Sequence, residues 1–214
     1  MKIKLPKLHV LLSTDKEQDE NHESKNVHVH NGYAIASGNV TAIVDLKEYI
    51  KKELNVSGEG EIQELDQIIS WFNGKSFSSD FWKELTTPQF IKIDEANDVI
   101  TINHLTYVVN LNYSTIDCDI EDVVKSVNKK LEKEPVEMDR HALIGGALSD
   151  LFKAFGSEIK SDNLLLQTTG TGSEILFSLS SRTYIFGIIE DAMDSSMEIF
   201  AFENTKTFNQ FTQF

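Results

Sequence analysis

Residues 27–46 read VHVHNGYAIASGNVTAIVDL, and this stretch decides the predicted fold. Asn31-Gly32 is a strong hairpin signal, because a type I′ turn requires positive φ at both of its central residues. Gly38-Asn39 is a second, weaker turn signal. Beside the turns, side chains alternate as they do in half-buried strands. The stretch therefore predicts three consecutive antiparallel strands, at 27–30, 33–37 and 40–44.

A helix is expected directly after the third strand. Asp45 is a candidate N-cap, and Glu48 lies three residues further on, as in a capping box, so the helix is predicted at 46–54. Apolar spacing predicts further helices around 65–72, 81–85 and 119–133, and from Asp139 to Gly156. The remaining strands are predicted at 7–13, 89–93, 98–103, 105–111, 162–168, 173–180, 182–189 and 197–202.

The order of these elements repeats along the chain. Each half has helical elements followed by a three-strand meander, although the two halves share little sequence. This repetition predicts an α+β protein with two similar domains, 1–113 and 114–214, that meet near residues 111–118.

Composition limits the class of protein. The chain has 214 residues, 40% of them hydrophobic, and a formal net charge of −14. A single cysteine, Cys118, excludes an intramolecular disulfide and suits a reducing cytoplasm. No apolar run is long enough for a membrane helix, and the run at 10–12 is too short for a signal peptide. This negative charge argues against a general nucleic-acid binder. Because one face of a protein can differ in charge from the rest, the positions of individual lysines carry more weight than their number.

Three stretches of the chain resemble bacterial-type DNA sliding clamps, the beta subunits of replicative DNA polymerases. The first is the hairpin stretch, the second spans 138–157 and the third spans 183–193. Residues 119–128 stand where the family has a linking segment before the second stretch. The matching residues are Gly32, Tyr33, Ala34, Ala36, Gly38, Leu143, Leu148, Leu151, Ala154, Phe155, Gly156, Phe186, Gly187, Ile188, Ile189 and Met193.

The resemblance implies a DNA-clamp-like fold of two similar domains, each with helices on one side of antiparallel sheets. It also implies a noncatalytic replication processivity factor that encircles duplex DNA, binds it weakly without sequence preference, and cooperates with a polymerase or other replication proteins. No cofactor or metal is implied.

Two features depart from the family. Glu190-Asp191 occupy the terminal region where the family has a proline, which bears on the pocket that holds polymerase peptides. The family protomer usually has three domains, whereas this chain has room for two. Six clamp domains encircle a duplex in the family, so two per chain imply a homotrimer. Strands 105–111 and 182–189 are the candidate edges for pairing between protomers.

The lysine positions suggest a DNA-facing surface. Lys125, Lys129 and Lys133 have i, i+4, i+8 spacing opposite the apolar stripe of the 119–133 helix, and Lys51 and Lys52 face away from the apolar residues of the 46–54 helix. These five lysines are the candidate DNA contacts. The alternative is that they are ordinary solvated lysines, which are common on helix surfaces.

Three other groups of residues could form functional sites, but each fits a structural role better. His28 and His30 share a strand face and could bind zinc together with His9 or His22, but no zinc motif is present. The TTGTG sequence at 168–172 lacks a phosphate-loop motif and fits a hairpin turn. The carboxylates near 117–122 fit a helix start better than a cation site.

Three functions therefore remain open. The first is the clamp, and the second is a clamp-fold interaction module that neither encircles nor binds DNA. The third is a small metal-dependent hydrolase built on the His28/His30 face. The tail at 210–214, QFTQF, loosely resembles a clamp-docking peptide, but a packed tail explains it as well.

Overall fold

The computed structural model describes residues 1–12, 25–103, 105–108, 141–168, 174–190 and 198–202. In these residues the fold is α+β with antiparallel sheets, as predicted. The helices are α1 Leu46–Leu54, α2 Glu59–Phe72, α3 Ser79–Glu84 and α4 Gly145–Lys160, with a 3-10 helix at Leu8–Leu11. Among the described residues, none of the helices combines the length and apolar character needed to cross a membrane.

The strands in the described residues form three sheets. They are β1 Lys2–Ile3, β2 Asn26–His30, β3 Tyr33–Ser37, β4 Val40–Asp45, β5 Lys75–Ser78, β6 Gln89–Asp94, β7 Val99–Ile102, β8 Leu105–Val108, β9 His141–Ile144, β10 Leu164–Thr168, β11 Glu174–Leu179, β12 Ile185–Glu190 and β13 Glu198–Phe202. The seven-stranded sheet has the order β10-β11-β12-β4-β3-β2-β5. A four-stranded sheet has the order β1-β6-β7-β8, and β9 pairs with β13.

The hairpin and the helix after it form as the sequence predicts. Asn31 and Gly32 have φ values of 49° and 82°, as a type I′ turn requires. The backbone N–H of Glu48 donates to Asp45 Oδ1 at 3.1 Å, so Asp45 caps α1. The Leu46 N–H donates to the Gly32 carbonyl at 3.0 Å, which ties the start of α1 to the turn.

The seven-stranded sheet joins strands from the two predicted halves of the chain. β12 pairs with β4, placing Phe186 opposite Ile43 and Gly187 opposite Ala42. One face of this sheet contributes to a large apolar core that includes Val44, Phe72 and Phe155. The other face carries a smaller buried cluster, Ile35, Ile43, Leu176 and Phe186. Strands from both predicted halves therefore share one sheet and one core.

Two predicted elements are wrong. Residues 7–13 were expected as a strand, but 8–11 form a 3-10 helix that buries Leu8 and Leu11, which are one turn apart. The helix expected from Asp139 begins at Gly145, after strand β9. The helix also continues to Lys160, beyond its expected end at Gly156. Its backbone angles are non-helical at Phe155, next to that expected end.

The strand expected at 182–189 exists as β12, but it is not a sheet edge. It lies between β11 and β4, so its backbone is already paired on both sides and cannot join protomers. β8, within the 105–111 stretch, does lie at the edge of the four-stranded sheet in the part of the chain described. The predicted 119–133 helix and the 111–118 junction lie outside the described residues, so the division into two domains stays a prediction.

Candidate nucleic-acid interface

Helix α1 presents the first two of the predicted DNA contacts. Leu46, Tyr49 and Ile50 face the core, and Asn55 ends the helix in the left-handed conformation, with its N–H donating to the Lys51 carbonyl. The remaining face carries Lys51 and the exposed Lys52. The sequence therefore identified the outward face of α1 correctly.

Two of the three lysines of α1 have carboxylate partners. Lys51 Nζ lies 2.7 Å from Glu48 Oε1, and Lys47 Nζ lies 2.6 Å from Asp66 Oδ1 on α2. The hydrogen bond with Glu48 raises the pKa of Lys51, so its charge is secure at neutral pH. In the described part of the chain, Lys52 makes no ion pair. Exposed pairs of this kind contribute at most about 1 kcal/mol, so a phosphate could compete for these lysines.

The surroundings of α1 are acidic. This helix carries three lysines and two glutamates, while α2 carries four exposed carboxylates and no lysine or arginine, so their combined formal charge is −3. The four carboxylates of α2 are those of Glu59, Glu61, Glu64 and Asp66. A phosphate approaching α1 would meet this negative field, so Lys51 and Lys52 alone make a weak nucleic-acid interface.

The other three predicted contacts, Lys125, Lys129 and Lys133, lie outside the described residues. The acidic stretch at 117–122, His22, and most of the TTGTG turn lie there as well. Of the predicted DNA-facing surface, the described residues contain the α1 part.

His28, one of the histidines predicted as possible zinc ligands, makes a structural hydrogen bond. His28 is buried, and its Nδ1 lies 2.7 Å from Ser76 Oγ on the neighbouring strand β5. No group of three or more potential metal ligands occurs among the residues the structure describes. A hydrogen bond between paired strands accounts for His28 without a metal.

A buried polar contact joins the two predicted halves of the chain. Glu158 on α4 is buried, and the Tyr49 hydroxyl on α1 donates to its Oε1 at 3.2 Å. The Ser157 hydroxyl donates to Oε2 at 2.5 Å. Burial, together with the nearby Glu158 charge, raises the pKa of Tyr49 far above its usual range, so the phenol remains protonated.

The sequence contained a signal for this contact. Leu151, Phe155 and Glu158 have the i, i+4, i+7 spacing of a helix face turned toward the core. The expected helix end at Gly156 hid the signal, because Glu158 then fell in a loop.

A second polar network closes the turn before β12. Burial of Asp162 opposes its charge, but hydrogen bonds from Ser180 and Ser181 outweigh burial and lower its pKa to about 2. The Ser180 hydroxyl lies 2.5 Å from Oδ1, and Arg182 Nη1 lies 3.4 Å from Oδ2. Because its oxygens already accept several protein donors, Asp162 acts as a structural anchor.

No family model matches the sequence, and neither the curated proteins nor the solved structures include one with significant similarity.

Proposed function

We propose that this protein is a noncatalytic, clamp-like factor that associates with duplex DNA and promotes processive replication. The observation that carries the proposal is how the clamp-resembling stretches lie in space. The first stretch forms β3 and β4, and the third forms β12, which pairs directly with β4. The second stretch contains most of α4, whose Leu151 and Phe155 pack in the same core as Val44. Stretches far apart in sequence thus form one unit.

The proposed mechanism needs no reacting side chain. A closed ring retains DNA because the duplex passes through it, so the protein needs only weak contacts with phosphates. Lys125, Lys129 and Lys133 would supply most of these contacts, since Lys51 has a carboxylate partner and lies beside acidic α2. Lys52 would add one exposed charge from α1. A polymerase or another replication protein would bind the outside of the ring.

One observation favours a second candidate, a clamp-fold interaction module without DNA encirclement. The acidic surface of α1 and α2 would repel phosphates if these helices lined a ring. In that case the carboxylates of α2 would remain available for a basic protein partner.

Binding of duplex DNA across a salt series separates the two candidates. A clamp-like factor should bind duplexes of unrelated sequence equally. The logarithm of its binding constant should fall linearly with the logarithm of salt concentration, with a slope of about −0.9 for each phosphate neutralised. Fluorescence anisotropy with two unrelated duplexes measures both properties. No association even at low salt, with the protein folded, would favour the interaction module.

A further inference from the structure

Two asparagines in the chain are followed directly by glycine, in the pairs Asn31-Gly32 and Asn73-Gly74. Asparagine is a thermolabile residue, and a following glycine has no side chain to hinder attack on the asparagine amide. Asn31 and Asn73 are both exposed to solvent. Residue type and exposure therefore make the two pairs equivalent, and only the backbone around each pair distinguishes them.

The reaction that such pairs undergo is deamidation through a cyclic imide. The backbone nitrogen of the glycine attacks the asparagine Cγ atom, so that a bond forms between this nitrogen and Cγ. The bond from Cγ to Nδ2 breaks, and the amide nitrogen leaves as ammonia with the proton that the glycine nitrogen loses. Water then opens the imide at either carbonyl, which gives aspartate or isoaspartate. The glycine nitrogen must therefore be available to react.

The fold protects the Asn73-Gly74 pair. The Gly74 N–H donates to the carbonyl of Val29 on β2 at 2.8 Å, just before the chain enters β5. The next residue, Lys75, pairs with Val29 in the ladder between β5 and β2, so this part of the backbone is held by the sheet. The hydrogen bond must break before the Gly74 nitrogen can attack, and deamidation at Asn73 is slowed accordingly.

The Asn31-Gly32 pair lacks this protection. In its two-residue turn the strands pair through His30 and Tyr33, which flank the turn. The Gly32 carbonyl accepts the Leu46 N–H, but the Gly32 N–H makes no hydrogen bond with another described residue. The nitrogen that would attack Asn31 is therefore available in the folded protein.

We propose that Asn31 is a site of spontaneous deamidation in the folded protein. The two products should differ in their effect on the hairpin. Aspartate keeps the turn, since Asp-Gly suits a type I′ turn as Asn-Gly does. Isoaspartate adds a methylene group to the backbone of a two-residue loop whose length sets the strand register, and it displaces the Gly32 carbonyl from Leu46. The proposal is independent of the proposed clamp function.

The test is to incubate the folded full chain at mildly alkaline pH and to follow amide loss by peptide mapping with mass spectrometry. Asn31 should lose its amide about fivefold faster than Asn73, the ratio expected when one net hydrogen bond must break at the slower site. In denaturant that bond is absent, so the two sites should react at similar rates. Asn39 is an internal reference: it is exposed in the next turn, but Val40 follows it and hinders attack, so it should react more slowly than Asn31.

Amide loss at Asn31 that is no faster than at Asn73 or Asn39 in the folded protein would overturn the proposal. So would a rate ratio of Asn31 to Asn73 that is the same in denaturant, because the fold would then not set it. The Asn31→Asp variant is the matched control for the products, since it carries aspartate alone and should unfold at the same denaturant concentration as the parent. The isoaspartate fraction of aged protein, identified with an isoaspartate-specific methyltransferase, should unfold at a lower concentration; equal stability would overturn the predicted effect on the turn.

Discussion

Gly187 lies opposite Ala42 where β12 pairs with β4, and the approach of the two strands leaves no room for a side chain at 187. A Cβ atom there would lie 2.0 Å from the Thr41 carbonyl oxygen and 2.6 Å from the Phe177 ring. This pairing joins the first and third clamp-resembling stretches, so Gly187 tests whether that junction stabilises the fold.

Gly187→Ala should lower the free energy of unfolding by about 1–3 kcal/mol, because the added methyl group overpacks the junction. Chemical denaturation measures the change. Gly60→Ala is the control: nothing lies within 4 Å of a Cβ at this helical position. It should leave stability equal or higher by up to about 1 kcal/mol. Equal stability of Gly187→Ala and the parent would show that β12 does not pack on β4 as described.

The contact between Tyr49 and Glu158 gives a second prediction. Tyr49→Phe removes the phenol that donates to the buried Glu158 carboxylate. The free energy of unfolding should fall by about 1–3 kcal/mol, because a buried acceptor loses its donor. Tyr184→Phe is a useful comparison, since Tyr184 packs edge-on against Tyr49 but is less buried. A loss no larger for Tyr49→Phe than for Tyr184→Phe would argue against a stabilising role for the hydrogen bond.

The third prediction concerns acid stability. Asp162 has a pKa of about 2 in the folded protein, below its value in an unfolded chain, which is about 3.9. Its stabilising effect is therefore complete above pH 4 and is lost as the pH falls toward 2. Asp162→Asn should lower stability at neutral pH and flatten its dependence on pH between about 4 and 2. Denaturation at several pH values checks this, with exposed Asp80→Asn as the control. An unchanged pH profile in Asp162→Asn would contradict the assigned network.

The predicted lysine stripe supplies the fourth prediction. Replacing Lys125, Lys129 and Lys133 together with glutamate should weaken duplex binding and reduce the steepness of its salt dependence. The fold should survive, because exposed helix substitutions usually change stability by less than about 0.5 kcal/mol each. Lys52→Glu should have a smaller effect beside acidic α2. If the triple variant supports processive synthesis as well as the parent, the stripe is only a solvated face.

Local signals allowed much of the fold to be predicted from the sequence. The Asn31-Gly32 turn, the Asp45 cap and helix α1 depend on neighbouring residues, and each forms at the predicted position. The 3-10 helix was missed because a short apolar segment fits a strand or a helical turn equally well. Strand β9 was missed because its apolar residues also fit the helix that follows.

The candidate site was less predictable because its electrostatics depend on contacts between distant residues. The outward face of α1 follows from helical periodicity, but the pairing of Lys47 with Asp66 depends on how α1 packs against α2.

The mass of the protein in solution tests the clamp proposal most directly. A ring of six clamp domains requires three chains, so sedimentation or light scattering should give about three times 24.2 kDa at high protein concentration or with duplex DNA present. The high negative charge opposes assembly, so the trimer should dissociate on dilution and at low salt when DNA is absent. A strict monomer at every protein and salt concentration, including with DNA, would contradict the ring and favour the interaction module.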